Sequence, residues 1–365
     1  MFLSSDSTQT AYIPKAHDYS LDLLRICACF MVILLHVAAF QFYAVSPSGE
    51  EWRVFNFYDT LSRSCVPLFF MISGHLFLSR KDPINLSRLF SKNILKLFFL
   101  YLLWSALYAL DTVGLSALGC EGVLSSIYTT FLTSKYHLWY LPAMIGLYLL
   151  APFVQGAAQH WEGKFLRYFC VLFFFCIIFY NTICLLSKIH QGPFLSFFES
   201  LSVFSPPFSY PLGYFVLGYA LGRHQFSTVK WWQPLSAFFA LVCVFTFLNH
   251  RYALFTGAAS TILYNYDLLP AFAEAVCLFV LFRKLPTETL SDRSKALILT
   301  VSKCTLGIYL LHIFVLEHLQ ATFHISPTSF QPWLSVPLIT LLVFVCCLLV
   351  IYLLKKIPYV GDLIA

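Results

Sequence analysis

Long apolar runs separated by short polar breaks extend through almost the whole chain. About ten of them have roughly 20 residues each, and such a run crosses a hydrocarbon core about 30 Å thick when it is helical. The predicted spans lie near residues 19–43, 60–79, 94–113, 137–158, 165–186, 207–223, 231–249, 266–283, 304–323 and 333–354. A shorter run near 122–133 is rich in Ser and Thr and is expected at the membrane interface. The pattern predicts an all-α, polytopic membrane bundle.

The basic residues test this count, because Lys and Arg collect in the cytoplasmic loops of membrane proteins. With a cytoplasmic N-terminus, the opposite side receives five of them, Arg53, Arg63, Lys135, Lys188 and Arg251. The cytoplasmic side receives Lys15, Arg25, Arg80, Lys81, Arg88, Lys92, Lys96, Lys164, Arg167, Arg223, Lys230, Arg283, Lys284, Arg293, Lys295, Lys303, Lys355 and Lys356. We therefore expect two cytoplasmic tails, at 1–18 and 357–365, around one transmembrane domain at 19–356.

Composition supports lipid as the solvent of this chain. Hydrophobic residues make up 59% of its 365 residues and charged residues only 11%, a balance that excludes a water-soluble globular protein of this size. The first eighteen residues lack the layout of a cleavable signal peptide, so the first span is expected to act as its own insertion signal. No predicted loop is long enough for a separate soluble domain, which places any chemistry among the helices.

Two ionisable residues in the first predicted span are the strongest candidates for chemistry. Arg25 and His36 lie eleven residues apart, which returns a helix to within about 20° of the same face and raises it by about 16 Å. Both side chains are therefore predicted to face one groove. A neutral His can take a proton from a hydroxyl near neutral pH, and it can also act as a nucleophile. The plainer alternatives are an interfacial anchor for Arg25 and a buried, hydrogen-bonded imidazole for His36.

Further polar and aromatic residues are predicted near the non-cytoplasmic ends of other spans. Arg63 opens the second span, and His137, Trp139 and Tyr140 open the fourth. Aromatic faces beside a His suit sugar binding, and they equally suit an interfacial aromatic belt. His312 lies within the ninth span, where an interhelical hydrogen bond is the alternative to a substrate contact. These five residues are the candidate substrate-binding set.

Three cations leading into the third span are candidates for binding a phosphorylated donor. Arg88, Lys92 and Lys96 recur every four residues and form a ridge on one face of a helix. Positive-inside topology alone also explains them. The sequence contains no phosphate-binding glycine loop, GxSxG elbow or zinc-ligand spacing, so nucleotide hydrolysis, Ser-triad and metal chemistry are not expected.

Four ordered motifs resemble landmarks of the membrane-bound acyltransferase-3 family. They are residues 20–25 (Ser-Leu-Asp-Leu-Leu-Arg) followed by His36, residues 66–74 (Val-Pro-Leu-Phe-Phe-Met-Ile-Ser-Gly), residues 137–142 (His-Leu-Trp-Tyr-Leu-Pro) and residues 305–312 (Thr-Leu-Gly-Ile-Tyr-Leu-Leu-His). The resemblance covers nearly the whole chain. Within the family, the chain is similar to the O-acetyltransferases that modify enterobacterial common antigen.

The resemblance implies an O-acyltransferase with about ten transmembrane helices in the inner membrane of a bacterium. It implies acetyl-CoA as a cytoplasmic co-substrate, no permanently bound cofactor, and a hydroxyl of a cell-surface glycan or lipid-linked sugar as acceptor. Carried over by motif, His36 is the catalytic residue and Arg25 its partner on the donor path, while Arg63 occupies a basic position of the second span. The bilayer, the donor and the glycan are the expected partners, nucleic acid is not, and a homo-oligomer stays open.

Two other function classes fit the same intramembrane polar residues. A transporter or flippase of a lipid-linked saccharide would also place His, Arg and Glu along a substrate path, although the inverted repeat common in secondary transporters is not visible. A structural membrane scaffold would use these residues for helix contacts alone. Release of CoA thiol in the presence of a glycan acceptor separates the enzyme from both.

Overall fold

The computed structural model describes residues 17–114, 122–160, 163–190, 209–224, 226–358 and 361, which form helices and no strand. Lys15, most of the predicted N-terminal tail and much of the predicted C-terminal tail lie outside these residues. The α-helices are α1 (Tyr19–Ala39), α2 (Glu50–Ser62), α3 (Cys65–Leu78), α4 (Leu86–Leu89), α5 (Leu95–Val113), α6 (Val123–Thr133), α7 (Tyr140–His160), α8 (Gly163–Phe173), α9 (Tyr180–His190), α10 (Tyr210–Gly222), α11 (Trp232–Thr256), α12 (Leu269–Arg283), α13 (Asp292–Phe323) and α14 (Pro332–Leu354).

Eight helical segments of the described ranges are long and apolar enough to cross a membrane. They are Tyr19–Ala39, Glu50–Leu78, Leu86–Val113, Tyr136–His160, Leu166–Ile189, Trp232–Thr256, Asp292–Phe323 and Pro332–Leu354. Each overlaps a predicted span, so the prediction of a polytopic helical membrane protein is confirmed. The two other predicted spans are α10 and α12, with 13 and 15 residues. At roughly 20 Å they are shorter than a hydrocarbon core, and other helices cover much of their surface.

Four of the segments depart from regular α-helix, and one of them, Tyr136–His160, begins with a 3₁₀ turn at Tyr136–Trp139. The second is divided at Arg63 and Ser64, where α2 ends and α3 begins. One π-helical turn joins α4 to α5 at Phe90–Ile94, and another joins α8 to α9 at Phe174–Phe179. The predicted interfacial run is the separate helix α6, which buries none of its residues. The break at Arg63 matters most for function, because it puts a cation inside the bundle.

Polar contacts show which helix ends lie together. Arg283, at the end of α12, pairs with Asp18 at the start of α1, and Lys355, after α14, donates to the carbonyl of Lys303 in α13. At the opposite end, the Lys135 ammonium lies 2.8 Å from the Glu317 carboxylate. The start of α1 and the end of α14 therefore lie at the same end of the bundle. That arrangement agrees with both termini facing one compartment, and their cytoplasmic location stays a prediction.

Helices α3 and α10 approach so closely that their backbones touch at glycine. A Cβ atom added to Gly74 would lie 1.7 Å from the carbonyl oxygen of Phe215, and one added to Gly218 would lie 2.0 Å from that of Met71. Small residues allow such contacts between membrane helices, where dispersion and hydrogen bonding replace the hydrophobic effect as the force for association. This contact holds α10 against α3.

Candidate functional site

Helix α1 carries both of the strongest candidates through the centre of the bundle, packed against α2, α3, α13 and α14. Arg25 lies near its start, where the guanidinium is 3.7 Å from the Asp22 carboxylate and 3.4 Å from the Ser302 hydroxyl. The Ser302 hydroxyl in turn donates to Asp22 over 2.5 Å. Asp22 and Ser302 thus orient Arg25. Asp22 belongs to the same sequence motif as Arg25, residues 20–25.

His36 lies three turns further along α1 among the rings of other helices. Its ring centroid is 5.1 Å from that of His312, 5.4 Å from that of Tyr136 and 6.5 Å from that of His137. His137 and His312 are 2% and 0% exposed, whereas His36 is only half-buried. Among these three imidazoles, His36 is therefore the one that an incoming group can reach.

His312 is held in one tautomer by its own helix. Its Nδ1 lies 2.6 Å from the carbonyl oxygen of Tyr309. Because a carbonyl only accepts, we assign the proton to Nδ1, which leaves Nε2 as an acceptor. That Nε2 is fully buried and has no hydrogen-bond partner among the described residues. The Tyr309 hydroxyl donates to the carbonyl of His137, so Tyr309 braces both histidines beside His36.

Arg63 lies close to this cluster but is engaged with an acid. Its Nε is 2.5 Å from the Asp59 carboxylate, four residues earlier, and its guanidinium lies 4.3 Å from the centre of the Tyr264 ring. Arg63 also interacts electrostatically with His36 and with Glu274, a fully buried carboxylate without a hydrogen-bond partner in the described part of the chain. The charge of Arg63 thus acts on two buried acids and on His36.

A cavity of about 270 Å³ extends along α1 between Arg25 and the histidine cluster. Its polar lining includes Ser73, Tyr140 and Lys303, and at the far end it reaches Val32 and Tyr309. Val32 precedes His36 by four residues, about 6 Å along the same face of the helix. The cavity therefore approaches His36 to within about one helical turn. We refer to this cavity, with Arg25 at its start, as the central passage.

The aromatic motif before α7 splits between two environments. Tyr140 lines the central passage and packs at 5.6 Å against Tyr309. Trp139 is partly exposed and stacks at 6.0 Å on Tyr266. His137 therefore lies beside His36 and Tyr140 lines the passage, whereas Trp139 packs on Tyr266; their role in substrate binding stays a prediction.

The cations predicted to bind a donor lie elsewhere. Arg88 and Lys92 are exposed, Lys96 is half-buried, and none of the three lines the central passage or the larger cavity near the end of α12.

No three His, Cys, Asp or Glu residues of the described chain are disposed to hold a metal ion. Sequence reasoning did not assign Asp59 and Asp22 as partners of arginines, although both lie one helical turn before an arginine, a spacing that favours ion pairing.

Comparison with known proteins settles the family. A sequence model of the acyltransferase-3 family, described as an acyltransferase domain, matches residues 18–352. The chain belongs to the acyltransferase-3 family. The match includes every motif named above and all eight candidate membrane spans up to residue 352, so the family's acyltransferase domain is here a multi-pass membrane domain. The resemblance noted from its motifs is confirmed at this level.

A curated relative shares part of this acyltransferase-3 sequence. An amino-acid racemase of Enterococcus faecalis is 32% identical over 136 residues, which are 36% of this chain and 18% of the relative. The aligned part is therefore a small fraction of the racemase. No solved structure matches the chain.

Proposed function

We propose that the chain moves an acyl group, most simply acetyl, from cytoplasmic acyl-CoA to a hydroxyl of a cell-surface glycan or lipid-linked sugar in a bacterial inner membrane. The observation that carries this proposal is the position of His36. It is the accessible imidazole of its cluster, and it lies beyond the end of a passage that begins at a cation. The similarity of the motifs to O-acetyltransferases makes an enterobacterial glycolipid the first acceptor to test.

In the proposed reaction, the acceptor oxygen attacks the thioester carbonyl while the unprotonated nitrogen of His36 takes the hydroxyl proton. The carbon–sulfur bond breaks, and the proton passes from the imidazolium to the departing thiolate. The products are an O-acyl ester and free CoA thiol. His312 and Tyr309 orient the cluster, and Arg63 offers a positive charge near the developing oxyanion while paired with Asp59.

Release of CoA thiol by the purified chain tests this function directly. The protein in detergent is given acetyl-CoA with and without a membrane glycolipid extract, and thiol release is compared with acetylation of the glycolipid. We expect both to rise together when the extract is present. If lipid-linked sugar crosses the membrane of proteoliposomes while no donor turns over, the chain is a transporter and this proposal fails.

Arg25 is expected to act on donor binding more than on the chemical step. Replacing Arg25 with Gln should raise the KM for acetyl-CoA roughly 10- to 100-fold, because a charged hydrogen-bond donor to a polar or anionic part of the donor is lost. Arg25→Lys should recover part of the loss if charge alone matters and little if the planar guanidinium is required. Steady-state kinetics of both variants, beside the exposed-site control Arg293→Gln, measures this. An unchanged KM in Arg25→Gln removes Arg25 from the donor path.

A further inference from the structure

A second, larger cavity lies at the end of the bundle where α3, α10 and α12 end. Its volume is about 970 Å³, within the range of small-molecule sites. Four cations, Arg80, Lys81, Arg223 and Arg283, line it, and no carboxylate is among its described lining residues. These cations come from three predicted cytoplasmic loops that are far apart in sequence. We refer to it as the basic cavity.

The cations of the basic cavity differ in how far their charge is compensated. Arg283 pairs with Asp18. Burial raises the pKa of that carboxyl, but the Ser20 hydrogen bond and the charge of Arg283 outweigh it and hold the pKa below its ordinary value. Arg80 and Arg223 make no salt bridge with any described acid. Within the described residues, two guanidinium groups thus line the cavity without a carboxylate partner.

Neutral neighbours hold these two arginines in place. The Arg223 Nη1 donates to the Tyr219 hydroxyl over 2.8 Å, and the Arg80 guanidinium lies 4.7 Å from the centre of the Phe77 ring. Such contacts fix the direction of a guanidinium while leaving other N–H groups for a ligand. The two groups are therefore oriented before any anion arrives.

The loop that carries Arg80 is also fixed, by two glutamines of α7. Gln155 is 2% exposed, donates to the carbonyls of Arg80 and Asp82, and accepts from the backbone N–H of Ile84 over 2.9 Å. Gln159, one turn later, donates to the carbonyls of Arg80 and Lys81 over 3.2 and 3.1 Å. Because the fold already holds this loop in place, ligand binding loses little conformational entropy in ordering it.

We propose that the basic cavity binds the phosphates of a phosphorylated nucleotide, namely the adenosine-phosphate end of the acyl-CoA donor. This inference rests on the proposed function. Arginine forks match phosphate oxygens in pairs, and the apolar wall at Leu78 and Phe226 suits a nucleobase. The assignment replaces Arg88, Lys92 and Lys96 as the phosphate site.

The position of Tyr148 connects this site to the central passage. Tyr148 lines the passage, its ring lies 4.6 Å from that of Phe77, and it interacts electrostatically with both Arg25 and Arg80. Arg80, Phe77 and Tyr148 thus form a continuous series of contacts from the basic cavity to the central passage. A donor with its phosphates on Arg80 has its pantetheine arm directed past these two rings toward Arg25 and then His36.

Binding of adenosine 3′,5′-bisphosphate tests the site without any catalytic step. The full chain in nanodiscs of neutral phosphatidylcholine is titrated by calorimetry, as wild type, as Arg80→Gln/Arg223→Gln, and as the charge-matched control Arg167→Gln/Arg293→Gln at exposed positions. We expect the first double variant to weaken binding on the order of 100-fold and the control less than about twofold. Lys81→Gln changes one exposed residue and should weaken binding of the bisphosphate several-fold. This milder variant keeps the test decisive if the double variant misfolds.

Three outcomes overturn the assignment. One is equal binding of the bisphosphate by both double variants, and another is no binding by wild type. The third is that wild type binds no bisphosphate but co-purifies with phosphatidylglycerol that Arg80→Gln/Arg223→Gln loses, which makes the cavity a site for a lipid phosphate. If wild type turns over acetyl-CoA and the double variant keeps its KM, the site fails and the acyltransfer proposal stands. If wild type binds the bisphosphate through Arg80 and Arg223 but never turns over a donor, the acyltransfer proposal fails and the site stands.

Discussion

Replacing His36 with Ala should lower the kcat for acyl transfer on the order of 10²- to 10⁴-fold, the usual contribution of a general base. The KM for acetyl-CoA should change little, because the cations that are proposed to hold the donor lie at the other end of the central passage. His137 and His312 are buried and braced by Tyr309, so neither is placed to take over. Thiol release and glycolipid acetylation, measured on the same preparation, give the comparison.

A second histidine variant controls for general effects on the protein. His160→Ala changes an exposed imidazole at the end of α7, remote from the cluster, and should keep full activity. Thermal unfolding in detergent checks that His36→Ala is folded. If folded His36→Ala transfers the acyl group at the wild-type rate, His36 is a packing residue and the chemistry must be sought elsewhere.

Replacing Gly74 with Ala should destabilise the protein, whereas the same change at Gly146 should not. At Gly74 the new methyl group would overlap the backbone of Phe215, so α10 must move away from α3. Overpacking of this kind costs about 1–3 kcal/mol, and more where backbone rather than a side chain must shift. At Gly146, in the middle of α7, nothing lies within 4 Å of the new atom. There the helix should gain about 0.5–1 kcal/mol from the lost flexibility of glycine.

The same Gly→Ala change is therefore expected to lower the stability of the protein at position 74 and to raise it at position 146. Unfolding temperatures of both proteins in the same detergent, with yield of monodisperse protein as a second readout, give the signs. A Gly74→Ala protein as stable as wild type would mean that α3 and α10 are further apart than described. Because α10 leads to Arg223, we also expect Gly74→Ala to weaken binding of the bisphosphate at temperatures where the protein stays folded.

The apolar pattern was sufficient to predict the bundle because a bilayer imposes its thickness on each span separately. Each of the eight long segments can therefore be recognised without knowledge of its neighbours. Helices α10 and α12 show the limit of this reasoning. Their sequences are as apolar as a span, but their described helices are too short to cross a core on their own, and burial against other helices accounts for that composition.

The placement of Arg25 and His36 on one face of α1 also followed from the sequence, since helical periodicity is local. The partners of these residues did not follow. His137 and His312 lie 101 and 276 positions after His36. Only tertiary structure brings them together, with α13 packed against α1 and His137 supplied by the turn before α7. The basic cavity could not be predicted from the sequence for the same reason, because three distant loops supply its cations. Charge periodicity instead favoured Arg88, Lys92 and Lys96, which line neither the central passage nor the basic cavity.

The close packing of rings around His36 has a consequence for the energy supply of the cell. The central passage leads from Arg25 into the bundle. Any continuous water path beyond it would let protons and ions run down the membrane potential, which drives each charge with about 2.3 kcal/mol per 100 mV. Tyr309, His137 and His312 are almost completely buried and leave little room for water at this level. The same rings that position the imidazole thus act as an electrical insulator between the two compartments.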